Sequence, residues 1–152
     1  MDFLFLQLKN TGTNLMNNIL VTDGRSRASL VIPKFLRLGI DKDINILVGE
    51  DRPIHLSFLS KYSDKKLRYR KFVDDKAYLS YFIKLIKKEN IDMVIPIRDE
   101  FTKFFSKYKS ILSKFTNFLV PDFDSLKVAN NKKKLSFFCS QKGYCCFLPI
   151  TL

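Results

Sequence analysis

The sequence predicts an α/β fold, an open and mainly parallel five-stranded sheet with helices on both faces. Two features lead to this expectation. Short apolar runs of the kind that form buried parallel strands alternate with longer segments whose apolar residues recur at helical spacing. Turn-forming Gly, Asp and Pro residues follow the apolar runs. Strands that alternate with helices imply right-handed crossovers, which bring the strands together in parallel under the helices.

The first strand and helix are expected within NILVTDGRSRASLVIPKF. Ile19 to Thr22 is a short buried strand, Gly24 lies in a tight turn, and a helix follows from about Ser26 to Leu38. Pro33 falls inside this helix, where the missing amide hydrogen and the ring clash cost about 3 kcal/mol. We therefore expect the helix to kink or to start late.

The later elements follow the same alternation. Ile44 to Asp51 is expected as the second strand. The segment 65–72 is expected as a third strand at the sheet edge, because Leu67 and Tyr69 alternate with charged residues. Further strands are expected at Asp92 to Pro96 and at 117–121. Helices are expected at 55–62, at 74–90, around Phe101, Phe104, Phe105 and Tyr108, at 122–131, and from Lys132 to Lys142.

Length and composition indicate one ordered domain. The chain has 152 residues, of which 46% are hydrophobic and 28% charged, enough for a real core and too apolar for disorder. No apolar run reaches the roughly 18 residues of a membrane span. The start, MDFLFLQLKN, has an acidic second residue and no small-residue cleavage site. We expect a cytoplasmic protein without a membrane partner.

The net charge of +12 allows two interpretations. A strongly basic chain can bind nucleic acid or a membrane surface. The lysines are spread along the whole chain, however, together with many Asn, Phe and Ile residues. We favour a general compositional bias and disfavour a nucleic-acid partner.

The cysteines and the histidine predict neither a metal site nor a catalytic group. Cys139, Cys145 and Cys146 are odd in number and clustered, which favours buried thiols over a disulfide framework or a metal site. His55 lies between two apolar residues with no Ser or Cys nearby, which favours a packed or surface histidine. We expect no metal ligands and assign no catalytic residue.

The turn after the first strand is the first candidate site. Ligands of parallel α/β sheets bind beyond the carboxyl ends of the strands. A small anion at Gly24, Arg25 and Ser26 would meet a helix N-terminus and an arginine. A solvated turn is the alternative. A dinucleotide site is disfavoured, because DGRSRAS lacks the second and third glycines of G-x-G-x-x-G.

Three acidic residues at other strand ends are further candidates. Asp51 follows the second strand, where a ribose-binding acid would lie, although an acid is common there by chance. Asp99 and Glu100 follow the fourth strand and are either pocket carboxylates or acids that suit a helix N-terminus.

The order of these elements resembles a known family. The stretches ILVTDGRSRASLVIPKFLRLG, ILVGEDRPIHLSFLSKYSDKKLRYRKF, ENIDMVIPIRDE and FLVPDFDSLKVANNKKKLSFFCSQKGY together resemble the N-terminal part of carbamoyl-phosphate-synthase-like ATP-grasp ligases. The resemblance covers about Ile19 to Thr151. It implies an N-terminal extension at 1–18, a Rossmann-like pre-ATP-grasp domain at 19–121, and the start of a truncated ATP-grasp domain at 122–152.

The resemblance also implies a function. Such enzymes use ATP and Mg²⁺ to join a carboxylate to an amine, usually through an acyl phosphate. Lys132, eleven residues before Gly143, matches a basic residue that contacts ATP phosphates in the family, although Asn131 stands where an acid is usual. Arg25 and Glu100 match positions near the pocket. GYCCFLPIT departs from the usual G-x-P-x-P-x-T.

The chain stops where the ATP-grasp domain would begin, so we expect a catalytically incomplete substrate-side domain. The missing ATP-grasp domain or a partner chain would complete the cleft around a small carboxylate substrate. ATP and Mg²⁺ are not expected to bind tightly to this chain alone. A non-catalytic module for a small anion or a nucleotide is the alternative, followed by a basic nucleic-acid-binding protein. Whether the chain forms a homo-oligomer is left open.

Overall fold

The computed structural model describes residues 18–39, 44–53, 56–72 and 75–144. The expectations for the N-terminal extension, for His55 and for Cys145 and Cys146 lie outside these described residues.

Four strands form the sheet, and every pairing between them is parallel. The strands are β1 (Asn18–Val21), β2 (Asn45–Glu50), β3 (Lys65–Arg68) and β4 (Met93–Ile95). Their order across the sheet is β3-β2-β1-β4, so β3 is the edge strand that its alternating pattern predicted. β2 and β3 lie on one side of β1 and β4 lies on the other, so the strand order reverses between β1 and β4. The carboxyl ends of these two strands are therefore the expected place for a ligand.

The helices lie close to the predicted positions. They are α1 (Ala28–Gly39), α2 (Asp75–Lys88), α3 (Asp99–Lys107), α4 (Lys109–Leu112), α5 (Phe123–Ala129) and α6 (Lys132–Gln141). A short 3-10 helix, Leu56–Leu59, lies between β2 and β3. Among the described residues, none of the helices combines the length and the apolar character that crossing a membrane requires.

The predicted fifth strand, 117–121, is wrong. This segment makes one parallel bridge, between Asn117 and Met93, and then leaves the sheet. The carbonyl of Pro121 accepts a hydrogen bond from the Ser106 hydroxyl of α3 at 2.8 Å, and Pro121 has no amide hydrogen to offer a strand. The segment therefore packs beside the sheet without extending it.

Apolar clusters cover both faces of the sheet, which confirms that helices lie on both. Side chains alternate between the faces along each strand. One face buries Leu20, Leu47 and Val94 under α2 and α3. The other buries Val21, Ile46 and Val48 under α1 and the 3-10 helix.

Aromatic rings fill the layer between the sheet and helices α2 and α3. The rings of Phe82 and Phe105 meet edge to face, with centroids 5.5 Å apart, and both side chains are fully buried. Tyr78, Phe101 and Phe104 surround Phe82 at similar distances. Such edge-to-face pairs stabilise a core beyond the area that they bury. The layer fixes the start of α3 against the sheet.

Helix α1 begins at Ala28, two residues later than expected, and runs through Pro33. The Oγ of Ser26 accepts a hydrogen bond from the amide of Ser29 at 3.2 Å and so caps the helix. Pro33 is buried. The helix starts late, as the prediction allowed, but Pro33 still lies inside it.

Helices α5 and α6 contribute no fully buried residue. Asn131 caps α6, because its side-chain oxygen accepts a hydrogen bond from the Lys134 amide at 3.1 Å. Gly143 ends the helix with φ of +72°, a conformation that favours glycine. Phe137 and Phe138 of α6 are 65% and 46% exposed.

Candidate functional site

A cleft opens at the carboxyl ends of the strands, between the turn after β1, the ends of β2 and β3, and the start of α3. Its volume is about 170 Å³. Charged and aromatic side chains line it, and these are Arg25, Asp51, Tyr69, Lys71, Phe72, Arg98, Glu100 and Phe101.

Asp23 and Arg98 connect the ends of β1 and β4. The carboxylate of Asp23 is fully buried, and its Oδ1 lies 2.6 Å from Nε of Arg98. Its Oδ2 also accepts from the Thr22 hydroxyl at 2.9 Å and from the Arg98 amide at 3.2 Å. Burial opposes the charge of Arg98, but the bond to Asp23 outweighs it and raises the pKa of the guanidinium. The bond to the buried carboxylate fixes the Arg98 side chain, which lines the cleft.

Glu50 and Arg25 form a second pair, one strand away. Glu50 is fully buried, and its Oε2 lies 3.2 Å from Nε of Arg25. Burial raises the pKa of Glu50, but hydrogen bonds from Asp51 and from the Arg25 amide, with the charge of Arg25, hold it below the usual value. Both arginines thus use Nε on a buried carboxylate, and both side chains line the cleft.

The terminal nitrogens of these arginines have weak partners. Nη2 of Arg25 lies 3.9 Å from Asp51, and Nη2 of Arg98 lies 3.7 Å from Glu100. Both distances exceed that of a good hydrogen bond. The ammonium of Lys71 makes no ion pair within the part of the chain that the structure describes. The cleft therefore presents three cationic groups with donors to spare.

Asp51 is a carboxylate at the cleft with one unsatisfied oxygen. Its side chain is 15% exposed, and Oδ1 is buried without a hydrogen-bond partner among the described residues. The hydrogen bond to Glu50, followed by burial, raises its pKa above the usual value. Asp51 and Glu50 are neighbouring acids whose pKa values shift in opposite directions.

The turn after β1 uses its own amides within the protein. The Gly24 amide donates to the Gly49 carbonyl at 3.0 Å, the Arg25 amide to Glu50 at 3.1 Å, and the Ser26 amide to the Asp23 carbonyl at 2.9 Å. Asp23 has φ of +57°, which makes the turn tight. Of the predicted anion contacts in this turn, the Arg25 side chain is the one that faces the cleft.

Tyr69 and Gly49 shape the floor. The Tyr69 hydroxyl accepts a hydrogen bond from the Asp23 amide at 3.0 Å, and burial, followed by the charge of Asp23, raises the pKa of Tyr69 far above its usual value. A Cβ on Gly49 would lie 2.5 Å from Cε1 of that ring. A side chain larger than hydrogen at residue 49 would therefore displace the Tyr69 ring.

The structure brings together some of the predicted site residues and not others. Arg25, Asp51 and Glu100 line the cleft. Asp99 is exposed at the first turn of α3, and Lys132 is exposed at the first turn of α6; neither lines the cleft.

Sequence reasoning missed the buried partners and part of the lining, namely Asp23, Glu50, Tyr69, Lys71 and Arg98. A usable signal was present. Asp23 and Glu50 are acids directly at the ends of apolar strands, and a buried carboxylate needs a cationic partner. The cationic partner is in each case an arginine that follows the neighbouring strand, Arg98 for Asp23 and Arg25 for Glu50.

Two features of the described residues bear on ATP and Mg²⁺. No group of three His, Cys, Asp or Glu side chains among them is placed to bind a metal ion. The cleft is smaller than the pockets of about 300–1,000 Å³ that bury whole cofactors. It has room for a molecule of a few non-hydrogen atoms beyond a carboxylate.

The fold is the one found in ATP-grasp enzymes, which confirms the resemblance at the level of the fold. A biotin carboxylase domain of a single-chain bacterial carboxylase superposes with a TM-score of 0.59 at 15% identity, over 84% of this chain and 29% of the other. An L-amino acid ligase from Bacillus licheniformis gives 0.59 at 14% identity, over 84% and 30%. The biotin carboxylase domain of 2-oxoglutarate carboxylase from Hydrogenobacter thermophilus gives 0.52 at 12%, over 84% and 27%.

Two further comparisons gave nothing: no family model matches the sequence, and no curated protein matches it. The chain spans less than a third of the length of these structural neighbours.

Proposed function

We propose that this chain is the N-terminal, substrate-side domain of an ATP-dependent carboxylate–amine ligase of the ATP-grasp type. The observation that carries the proposal is the cleft, in which Arg25 and Arg98 are each anchored through Nε to a fully buried carboxylate. Anchored guanidinium groups recognise carboxylates with little loss of conformational freedom. The cleft lies at the strand ends where α/β sheets bind ligands.

In this proposal the chain binds and orients a carboxylate substrate. The terminal nitrogens of Arg25 and Arg98 hold its oxygens, and Lys71 adds a third positive charge at the rim. ATP, when bound in the rest of the enzyme, supplies the phosphoryl group that activates the carboxylate. The biotin carboxylase domain of the Hydrogenobacter thermophilus enzyme, which shares the fold, is described in complex with MgADP and bicarbonate.

We interpret residues 19–121 as a Rossmann-like pre-ATP-grasp domain and 122–152 as the beginning of a second domain. The strand order β3-β2-β1-β4 corresponds to the first four strands of the order 3-2-1-4-5-6. The absence of fully buried residues from α5 and α6, with Phe137 and Phe138 exposed, supports a surface that further polypeptide covers. Lys132 would contact ATP phosphates only in that complete assembly.

Calorimetry with ATP and Mg²⁺ on this chain tests its incompleteness. We expect no binding tighter than millimolar, because the described residues supply neither a metal site nor a pocket of sufficient size. Micromolar binding would contradict the proposal.

Titration with a simple carboxylate tests the cleft. We expect 4-methylpentanoate to shift the backbone amide resonances of Arg25 and Asp51 in ¹⁵N-labelled protein. Arg25→Gln is expected to weaken this binding about tenfold, since a charge-assisted hydrogen bond is worth roughly 1.5–3 kcal/mol. Arg27→Gln is the matched control, because Arg27 is exposed and does not line the cleft. Equal losses in the two variants would indicate a general charge effect and refute the site.

A binding module for a small anion, without chemistry, would use the same cleft. The size of the cleft and the lack of a metal group among the described residues favour this second candidate. ATP hydrolysis that depends on the carboxylate, after this chain is combined with a separately supplied ATP-grasp domain, would decide for the ligase.

A further inference from the structure

The edge strand β3 lies within a strongly basic stretch of the chain. The segment KYSDKKLRYRK, residues 61–71, holds six cationic side chains and one acid, and all six cations are exposed. The acid, Asp64, is already engaged within the protein, because it pairs with Arg37 and accepts a hydrogen bond from the Ile46 amide at 2.7 Å. The stretch therefore presents positive charge that its own acid does not compensate.

Burial of alternate residues holds this strand in place. Leu67 and Tyr69 are buried in the core beneath α2 and α3, and β3 pairs in parallel with β2 over its whole length. Side chains alternate between the two faces of a strand, so Lys66 and Arg68 lie on the face opposite Leu67, about 6.6 Å apart along the strand. The two charges thus form a row on a fixed backbone.

Helix α2 adds positive charge along the same edge of the sheet. At one end of β3, the Tyr81 hydroxyl accepts a hydrogen bond from the Arg70 amide at 3.1 Å. At the other end, Lys65 forms an ion pair with Glu89, the residue after α2. These contacts place one side of α2 along β3. Three and seven residues after Tyr81, two exposed lysines lie on this side of the helix, namely Lys84 and Lys88.

The exposed cations of β3, its flanking residues and this side of α2 form a surface that we call the cationic edge. Its members are Lys61, Lys66, Arg68, Arg70, Lys84 and Lys88. None of them forms an ion pair with a residue that the structure describes. Two of the cations lie beside half-buried aromatic rings: Nζ of Lys61 is 5.3 Å from the centroid of Tyr62, and Cζ of Arg70 is 5.8 Å from that of Tyr81.

The composition of the cationic edge favours a polyphosphate partner. Within the described residues, the large hydrophobic side chains that are exposed all lie outside 61–71 and outside α2. Protein interfaces have apolar and aromatic anchors at their centre and few lysines there, and surfaces that bind a membrane insert apolar side chains. Cations that follow a backbone, with tyrosine rings beside them, are the groups that bind single-stranded nucleic acids.

Protection of the sheet edge explains only part of the pattern. Lysine on an edge strand prevents pairing with another chain, which accounts for Lys66. That role requires no cations on the neighbouring helix, where Lys84 and Lys88 lie, or before the strand, where Lys61 lies. A ligand that runs along the edge accounts for both groups.

We propose that the cationic edge binds the phosphate backbone of single-stranded nucleic acid. The proposal is independent of the proposed function, since no member of the cationic edge lines the cleft at the strand ends. It also departs from the expectation for the sequence. The lysines are spread along the chain, but the fold brings cations from β3 and α2 to one edge of the sheet.

A salt titration of binding tests the proposal on the full chain. The probe is a fluorescein-labelled oligothymidylate of about 16 nucleotides, the upper end of typical site sizes, and fluorescence anisotropy gives the affinity. We expect the logarithm of the affinity to fall linearly with the logarithm of the salt concentration. The triple variant Lys66→Gln/Arg68→Gln/Lys88→Gln should make this slope shallower by about 2, because each lost phosphate contact contributes roughly 0.7.

The matched control removes the same charge elsewhere. Lys103→Gln/Lys114→Gln/Lys133→Gln changes three exposed lysines that follow β4 in the chain and lie outside the cationic edge, and it should leave the slope nearly unchanged. Thermal unfolding establishes that both variants are folded. Equal changes of slope in the two variants would show a general attraction by net charge and overturn the proposal. No binding at low salt would also overturn it, as would competition by poly-L-glutamate or phosphatidylserine vesicles as effective as that by unlabelled oligothymidylate.

Discussion

Nε of Arg98 lies 2.6 Å from Oδ1 of Asp23, although 75 residues separate them in the sequence. Asp23 is fully buried at the end of β1, whereas the Arg98 side chain is partly exposed just before α3. A buried carboxylate without a compensating charge is strongly unfavourable. This ion pair therefore joins two strand ends and at the same time positions a guanidinium over the cleft.

Arg98→Ala should destabilise the protein by about 2–3 kcal/mol. This loss is at or below the lower end of the range for breaking a buried ion pair, because Arg98 is partly exposed. In the variant, the Thr22 hydroxyl and the residue 98 amide also still donate hydrogen bonds to Asp23. Urea unfolding followed by circular dichroism measures the change. Adding Asp23→Asn should recover part of the loss, since it removes the uncompensated charge. A double variant less stable than Arg98→Ala would contradict this account.

Gly49→Ala should destabilise the protein by about 1–3 kcal/mol through overpacking. The new Cβ would lie 2.5 Å from the Tyr69 ring and 3.1 Å from Cδ1 of Leu20, so the ring must move. That movement would break the hydrogen bond from the Asp23 amide to the Tyr69 hydroxyl.

Tyr69→Phe is the matched control for Gly49→Ala, because it removes the hydroxyl without moving the ring. It should cost about 1 kcal/mol, the net value of a typical hydrogen bond. Thermal unfolding compares the two variants. If Gly49→Ala proves as stable as the wild type, the close contact does not constrain the ring.

Phe105→Ala should cost about 3–5 kcal/mol, because the ring is fully buried and its loss leaves a cavity beside Phe82. Phe35→Ala is the same substitution at a side chain that is 65% exposed on α1, and it should change stability by no more than about 0.5 kcal/mol. Chemical denaturation of both variants tests this. Comparable losses would mean that the aromatic layer is not the core.

Local patterns predicted most of the fold. The alternation of Leu67 and Tyr69 predicted β3 and its edge position, because burial of every second side chain is a property of the strand itself. The prediction of a fifth strand was wrong because a strand also needs a neighbouring strand with which to form hydrogen bonds. β4 is only three residues long, and among the described residues that follow it, Asn117 alone pairs with it.

The candidate site was predictable to the extent that it depends on strand ends. Arg25, Asp51 and Glu100 were found because each follows a predicted strand. The pairing of Asp23 with Arg98 depends on the order of the strands, since β1 and β4 become neighbours only in the folded sheet. Which loop residues turn toward a cleft is likewise a tertiary property, and the expected anion contact through the turn amides gave way to hydrogen bonds within the protein.

The pH dependence of stability should reveal Glu50. Its pKa in the folded protein lies below the reference value of 4.5, because the hydrogen bonds from Asp51 and Arg25 outweigh the effect of burial. The unfolded chain therefore binds more protons around this pH, so this stabilisation is present above pH 4.5 and is lost as the pH falls through the folded pKa. Asp51 acts in the opposite direction. Its raised pKa means that its contribution to stability falls as the pH rises through the folded value.

Comparison of Asp51→Asn with the double variant Asp51→Asn/Glu50→Gln measures the contribution of Glu50 that the residue 51 amide and Arg25 maintain. Between pH 6 and pH 3, a range of about 1.5 units on either side of the reference pKa, the single variant should lose more stability than the double variant. Urea unfolding at each pH measures the difference, and ¹³C chemical shifts of the Glu50 carboxyl report its titration directly. A stability difference that stays constant over this range, or a Glu50 carboxyl that titrates above pH 4.5, would show that the buried pair with Arg25 does not hold the charge.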